Sequence, residues 1–115
     1  MSRAAVPDKA RLDALGGGSF RVSGVMDAST VGELLARSEE FFVDEAQLSV
    51  DFSGVTEGDS AGLALLIEWL RAARQRGRPI HFQNIPAQIN ALARISEVGD
   101  LLAKTEAEPA GTAAQ

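Results

Sequence analysis

Residues 60–75, Ser-Ala-Gly-Leu-Ala-Leu-Leu-Ile-Glu-Trp-Leu-Arg-Ala-Ala-Arg-Gln, read as a helix with more apolar surface than one core face takes up. At roughly 100° per residue, Leu63, Leu66, Ile67 and Leu70 cluster on one side and belong to the core. Ala61, Leu65, Trp69 and Ala72 recur at i, i+4, i+8 and i+11 on about the opposite side, with Glu68 and Arg71 in the strip between. A chain of 115 residues has room for a single core. The second stripe therefore either buries against neighbouring helices or is a contact surface for another protein, where Trp is a frequent anchor. Arg71, Arg74 and Arg76 complement the dipole at the end of this helix, and Gly77 stops it.

The other segments fall into place around that helix. Residues 9–15 and 19–25 flank Gly16-Gly17-Gly18, three glycines able to supply the positive φ angles of a tight hairpin. Thr30 with Glu33 has the capping-box form, and Val31, Leu34, Leu35, Ser38 and Phe42 make the apolar stripe of a helix ending near Val43. Residues 47–52 alternate with period two, placing Leu48, Val50 and Phe52 on one face of a strand. Residues 53–59 are polar, contain Gly54 and Gly58, and read as a loop. A short strand over 79–83 shares Ile80 and Phe82 on one face; a last helix opens at Pro86, carries Ile85, Ile89, Leu92, Ala93 and Ser96, and stops at Gly99, after which Leu101-Leu102 packs back on the sheet. The order strand, strand, helix, strand, helix, strand, helix implies a small α/β layer structure, with parallel pairing through right-handed crossovers and one antiparallel member from the hairpin. The sheet has about four to five strands and the domain three main helices. Helices on one face leave the other open unless a partner or the tails cover it. The folded unit is residues 9–104; residues 1–8 read as a flexible N-terminus and 105–115 as a disordered tail without large apolar side chains.

Composition narrows the function classes. Eleven basic against sixteen acidic side chains leave a net charge of −5, which excludes nucleic-acid binding through bulk charge. With no cysteine there are no disulfides, iron–sulfur clusters or thiolate zinc sites. The longest apolar run, residues 63–67, is far short of the roughly 20 residues of a membrane helix, and the first residues lack the apolar centre of a signal peptide. The chain reads as small, acidic and cytoplasmic.

The segment that carries chemistry is Gly58-Asp59-Ser60-Ala61-Gly62. It matches the G-x-S-x-G nucleophile elbow, but an elbow follows its strand directly and needs a histidine base. The only histidine, His81, lies on a strand that turns it away from Ile80 and Phe82, with no reason to meet Ser60. A helix start offers unsatisfied amides and a positive dipole end. Asp59 or Ser60 caps it, and the same amides accommodate a phosphate placed on the Ser60 hydroxyl. Asp51, Glu57 and Asp59 have no fixed ligand spacing and read as solvated carboxylates rather than a metal site. The basic cluster Arg71, Arg74, Arg76 and Arg78 reads as a solvated helix end, with anionic lipid headgroups or a partner's carboxylates as the alternative. Gly16-Gly17-Gly18 lacks the Lys-Ser/Thr of a phosphate-binding loop, so neither cofactor nor metal is expected.

Val50-Asp51-Phe52-Ser53-Gly54-Val55 followed by Asp59-Ser60-Ala61-Gly62-Leu63 resembles the signature of STAS domains, the fold of anti-sigma-factor antagonists and of transporter-associated regulatory modules. Gly24-Val25-Met26-Asp27 resembles the family's Gly-x-Leu-Asp lead into the first helix, with Met26 in place of Leu. Residues 59–66, Phe82-Gln83-Asn84-Ile85-Pro86, and Leu92-Ala93-Arg94-Ile95 before Val98-Gly99-Asp100-Leu101-Leu102 are most similar to the STAS subunit of the Mla-type phospholipid ABC transporter of Gram-negative bacteria. That resemblance implies a STAS-like fold and a non-enzymatic cytoplasmic subunit. Such a subunit binds the transporter's ATPase, and through it the membrane permease, at the cytoplasmic face of the inner membrane. It supports assembly and activity in maintaining outer-membrane lipid asymmetry, while lipid binds elsewhere in the complex. It places the motif hydroxyl, here Ser60, at the partner-facing helix start, the position that a partner kinase phosphorylates in anti-sigma-factor antagonists. Wheel and resemblance together predict Asp59, Ser60, Ala61, Leu65 and Trp69 as the partner-binding surface, with Leu35 beside them. The alternative function is an anti-sigma-factor antagonist acting on a kinase through a phospho-switch at Ser60.

Overall fold

Gly16, Gly17 and Gly18 all take positive φ (100°, 65° and 84°), and the chain reverses there. The computed structural model describes residues 9–96. In it, the reversal joins β1 (Arg11–Gly16) to β2 (Ser19–Met26), followed by α1 (Val31–Phe41), β3 (Leu48–Gly58), α2 (Ser60–Gln75), β4 (Ile80–Gln83) and α3 (Ala87–Ile95). The sheet has four strands in the order β1-β2-β3-β4; β1 is antiparallel to β2 and the remaining pairs are parallel. The mixed α/β sheet and three helices are those expected. The stop at Gly99, the packing of Leu101 and Leu102 and both chain ends lie outside the described residues.

All the buried strand residues point to one side. Leu12, Phe20, Val22, Leu48, Val50, Phe52, Ile80 and Phe82 join Leu34, Leu66 and Ile89 from the three helices in one core. The opposite face is a polar ladder in register, Asp13 beside Arg21 beside Asp51 beside Gln83. Arg21 approaches Asp51 at 3.6 Å, and Asn84 donates to the same carboxylate at 2.9 Å. The strand alternation makes this face polar, as suits a sheet side turned toward solvent.

Three local readings change. Residues 53–58 form strand rather than loop: β3 continues to Gly58, pairing Ser23 with Gly54, Gly24 with Val55, Val25 with Glu57 and Met26 with Gly58. Between Asp51 and Gly54, and again between Val55 and Glu57, β3 has one residue more than β2, so two bulges scramble the alternation that would have announced the strand. The capping box is not formed. The Thr30 hydroxyl instead donates to the Val25 carbonyl at 2.8 Å and accepts from the Asp27 amide at 3.0 Å, pinning the turn from β2 into α1. Glu33 is taken up by Arg37, at 3.4 Å.

The third correction concerns α2. Gly62, Leu63, Leu65, Leu66, Trp69, Leu70 and Ala73 are all buried. On the helical wheel they form one continuous arc of about 160°. The supposed second stripe is one flank of that arc, because α1 packs against one side of α2 and α3 against the other. Trp69 is 2% exposed and Leu65 4%, so neither is a free docking residue. The indole N–H donates to the buried Ser38 hydroxyl at 2.8 Å, and that hydroxyl donates to the Leu35 carbonyl at 2.7 Å. The ring centroid lies 5.5 Å from Phe42 and 6.3 Å from Phe52.

Replacing Ser38 with Ala leaves a buried indole N–H without a partner and should cost about 1–3 kcal/mol. The single Trp, in a chain without Tyr, reports this directly in urea unfolding followed by fluorescence. Gly24 has φ 93°, and an added Cβ would lie 2.4 Å from the Lys9 carbonyl oxygen. Gly24→Ala should lower the same unfolding free energy by about 1–3 kcal/mol.

Candidate functional site

Parallel β2 and β3 end at the same edge of the sheet, each delivering the chain into a helix. After β3, the Asp59 amide donates to the Met26 carbonyl at 3.2 Å, which fixes the start of α2 against the end of β2. Asp59 is the N-cap: extended, with its carboxylate accepting from the Ala61 amide at 2.9 Å. Ser60 is therefore released from capping. It is exposed, and its hydroxyl makes no hydrogen bond among the described residues.

The two glycines of the motif have a packing reason. A Cβ on Gly58 would lie 2.7 Å from Ile89 Cδ1, and one on Gly62 would lie 3.0 Å from the same atom and 3.2 Å from Met26 Cβ. Ile89 of α3, fully buried, fits into the space both leave. Gln88 adds a polar tie, its side-chain oxygen accepting from the Gly58 amide at 3.3 Å. Gly-Asp-Ser-Ala-Gly is thus a cap and a hydroxyl between two points of close helix approach.

Asp27, Glu57 and Asp59 border a notch of about 130 Å³ beside Ser60, together with Val25, Met26 and Gln88. The Asp27 carboxylate accepts from the Ser29 hydroxyl at 2.7 Å and the Ser29 amide at 2.9 Å, and these bonds hold its carboxyl below the usual carboxylate range. Among the described residues there is no group of three or more His, Asp or Glu able to hold a metal. Asp51 sits on the polar sheet face instead. Partial burial pushes its carboxyl up, but hydrogen bonds from Asn84 and Ser53 and the Arg21 charge outweigh that and leave it lowered. His81 pairs with Ser49 at the far end of β3. That is roughly 30 Å along the strand from Ser60, so the two do not form a nucleophile–base pair.

Of the predicted surface, Asp59, Ser60 and Ala61 come together at the exposed helix start. Leu35 is half-buried and lines a separate groove between α1 and α2 with Trp69, Ala72 and Glu39. The outward stripe of α2 is Ser60, Ala64, Ile67 and Arg71, of which Ile67 is half-buried and the others exposed. Ala64 was not singled out, and Ile67, read as core, is half-buried and packs against the core from the outward side. Centring the wheel on the whole apolar arc, rather than on its two flanks, would have found Ala64. Within the basic cluster, Arg71 bonds Glu68 at 3.3 Å, and Arg78 donates to the carbonyls of Phe42 and Val43, closing the end of α1 onto the β4 approach.

Residues 14–103 match the family model described as Mlab, STAS domain. No curated protein sequence matches the chain significantly. Among solved structures, the unphosphorylated anti-sigma factor antagonist SpoIIAA superposes with a TM-score of 0.62 at 17% identity, covering 79% of this chain and 83% of that one. The phosphorylated form of SpoIIAA, described as a Bacillus cell fate determinant, gives 0.61 at 16% identity, covering 79% and 86%. At these identities the likeness is one of fold.

The division of labour between Asp59 and Ser60 is testable. Asp59→Ala removes the cap and should lower stability by about 0.5–2 kcal/mol, whereas Ser60→Ala should leave the urea midpoint within experimental error.

Proposed function

The chain belongs to the STAS-domain family, and on that premise we propose that it is a non-catalytic docking subunit of an Mla-type phospholipid ABC transporter. It binds the transporter's ATPase at the cytoplasmic face of the inner membrane and supports assembly and activity without touching lipid. The contact is made by Asp59, Ser60, Ala61 and the outward stripe continuing through Ala64 and Ile67, with Leu35 at its margin.

One observation carries this reading. The hydroxyl of Ser60 is exposed at a rigid helix start whose capping is done by its neighbour, and the next outward positions are small or apolar rather than charged. A helix face free of charge for two turns suits desolvation against a partner. The matched family description supports the transporter assignment, as do the motifs in residues 59–66 and 82–86. No helix among the described residues is long and apolar enough to cross a membrane, in keeping with peripheral attachment through a partner.

A second reading has its own support. The fold matches SpoIIAA in both unphosphorylated and phosphorylated forms, and Ser60 offers an exposed, unengaged hydroxyl at a helix N-terminus, the end whose dipole favours negative charge. On this reading the partner is an anti-sigma-factor kinase and Ser60 is its substrate.

Affinity purification of the tagged full chain from its native host separates the two. The transporter ATPase should co-purify, and Ala64→Arg or Ser60→Asp should reduce its recovery tenfold or more while the fluorescence unfolding midpoint stays unchanged. Undiminished recovery with both variants would remove the surface from the proposal. Stoichiometric phosphate on Ser60 together with a recovered kinase would replace the transporter reading with the switch.

A further inference from the structure

β1 is an edge strand: β2 pairs with one side of it, and among the described residues no strand pairs with the other. Its sequence, Arg-Leu-Asp-Ala-Leu-Gly, contains neither Pro nor Lys; its protection is one charge of each sign, Arg11 and Asp13, and an irregularity between Ala14 and Gly16. A groove of about 230 Å³ runs between this strand and α1, bordered by Arg11, Asp13, Glu33 and Arg37 over Leu12 and Leu34. The groove thus has two cations and two anions, on a chain whose net charge is −5. At this edge the local charge is balanced, so two copies can meet here without net like-charge repulsion.

We infer that β1 is the contact of a two-fold homodimer in which two copies pair antiparallel about Leu12, joining their sheets into one. The register follows from the charges. With Leu12 opposite Leu12, Arg11 of each copy faces Asp13 of its mate, twice over by symmetry. Centring the pair on Asp13 would place like charges opposite each other, which is unfavourable. The same register sets Ala10 opposite Ala14 on the helix side, small residues that let the strands close. Ala14 is exposed although it shares the face of buried Leu12, and the pairing covers it. Two-fold symmetry also brings the α1 helices, each with its own Glu33–Arg37 pair at 3.4 Å, to the same side of the joined sheet. Leu15 is 52% exposed at the hairpin end of the same edge.

This surface is separate from the α2 docking face, so the two stand or fall independently. Sedimentation equilibrium of the full chain over a concentration series should show a mass rising from 12.1 kDa toward twice that value. Arg11→Asp places Asp against Asp at both symmetric positions and should weaken the dimer about tenfold to a hundredfold. The Arg11 side chain is 71% exposed, so its replacement does not disturb the core. The double variant R11D/D13R restores opposite charges in the same register and should recover the association in protein whose fluorescence unfolding midpoint is retained, a check needed because D13R also sets a second cation beside Arg21. A constant mass of 12.1 kDa across the series would overturn the proposal. So would a dimer indifferent to Arg11→Asp, or one that the double variant fails to rescue.

Discussion

The parallel ladder between β2 and β3 is the interaction from which the rest of the molecule is organised. It brings two strand ends to one edge of the sheet, and from there both α1 and α2 depart. The amide of Asp59 on the carbonyl of Met26 is the last rung of that ladder and the first fixed point of α2. Without it, the cap, the free hydroxyl and the outward stripe would have no common origin. The two bulges in β3 lengthen it relative to β2 and set where that last rung falls.

Much of this was legible from side-chain chemistry alone. The three glycines announced the hairpin, the alternation of Leu48, Val50 and Phe52 announced the first half of β3, and Gly77 announced the end of α2. What escaped was held by the backbone. Residues 53–58 are strand because their amides and carbonyls find β2, with side chains that show no period. Thr30 and Glu33 have the spacing of a capping box, but the Val25 carbonyl offers the hydroxyl a better partner inside the turn. Periodicity sees neither event.

The layout of the candidate site was half legible for a related reason. Asp59 and Ser60 were identifiable because a helix start imposes a chemistry on its first residues. Trp69 was misplaced because a wheel shows how much apolar surface a helix has, not how many neighbours share it. In a sheet with all helices on one side, the middle helix has three faces occupied, by sheet and by a helix on either flank. Its apolar arc is then wide enough to pass for two. The Ser38 hydroxyl that meets the indole lies 31 positions away in sequence; no local pattern joins them.

The seating of Ile89 against Gly58 and Gly62 has a consequence for recognition. The end of β3, the first turn of α2 and the body of α3 are held as a single block, with Gln88 pinning the corner. Under the proposed docking role, a partner that meets Ser60 would find a surface already packed in place, with less conformational entropy to lose on association. Under the docking proposal, residues of α3 that no partner touches would thus help set the shape of the surface it meets.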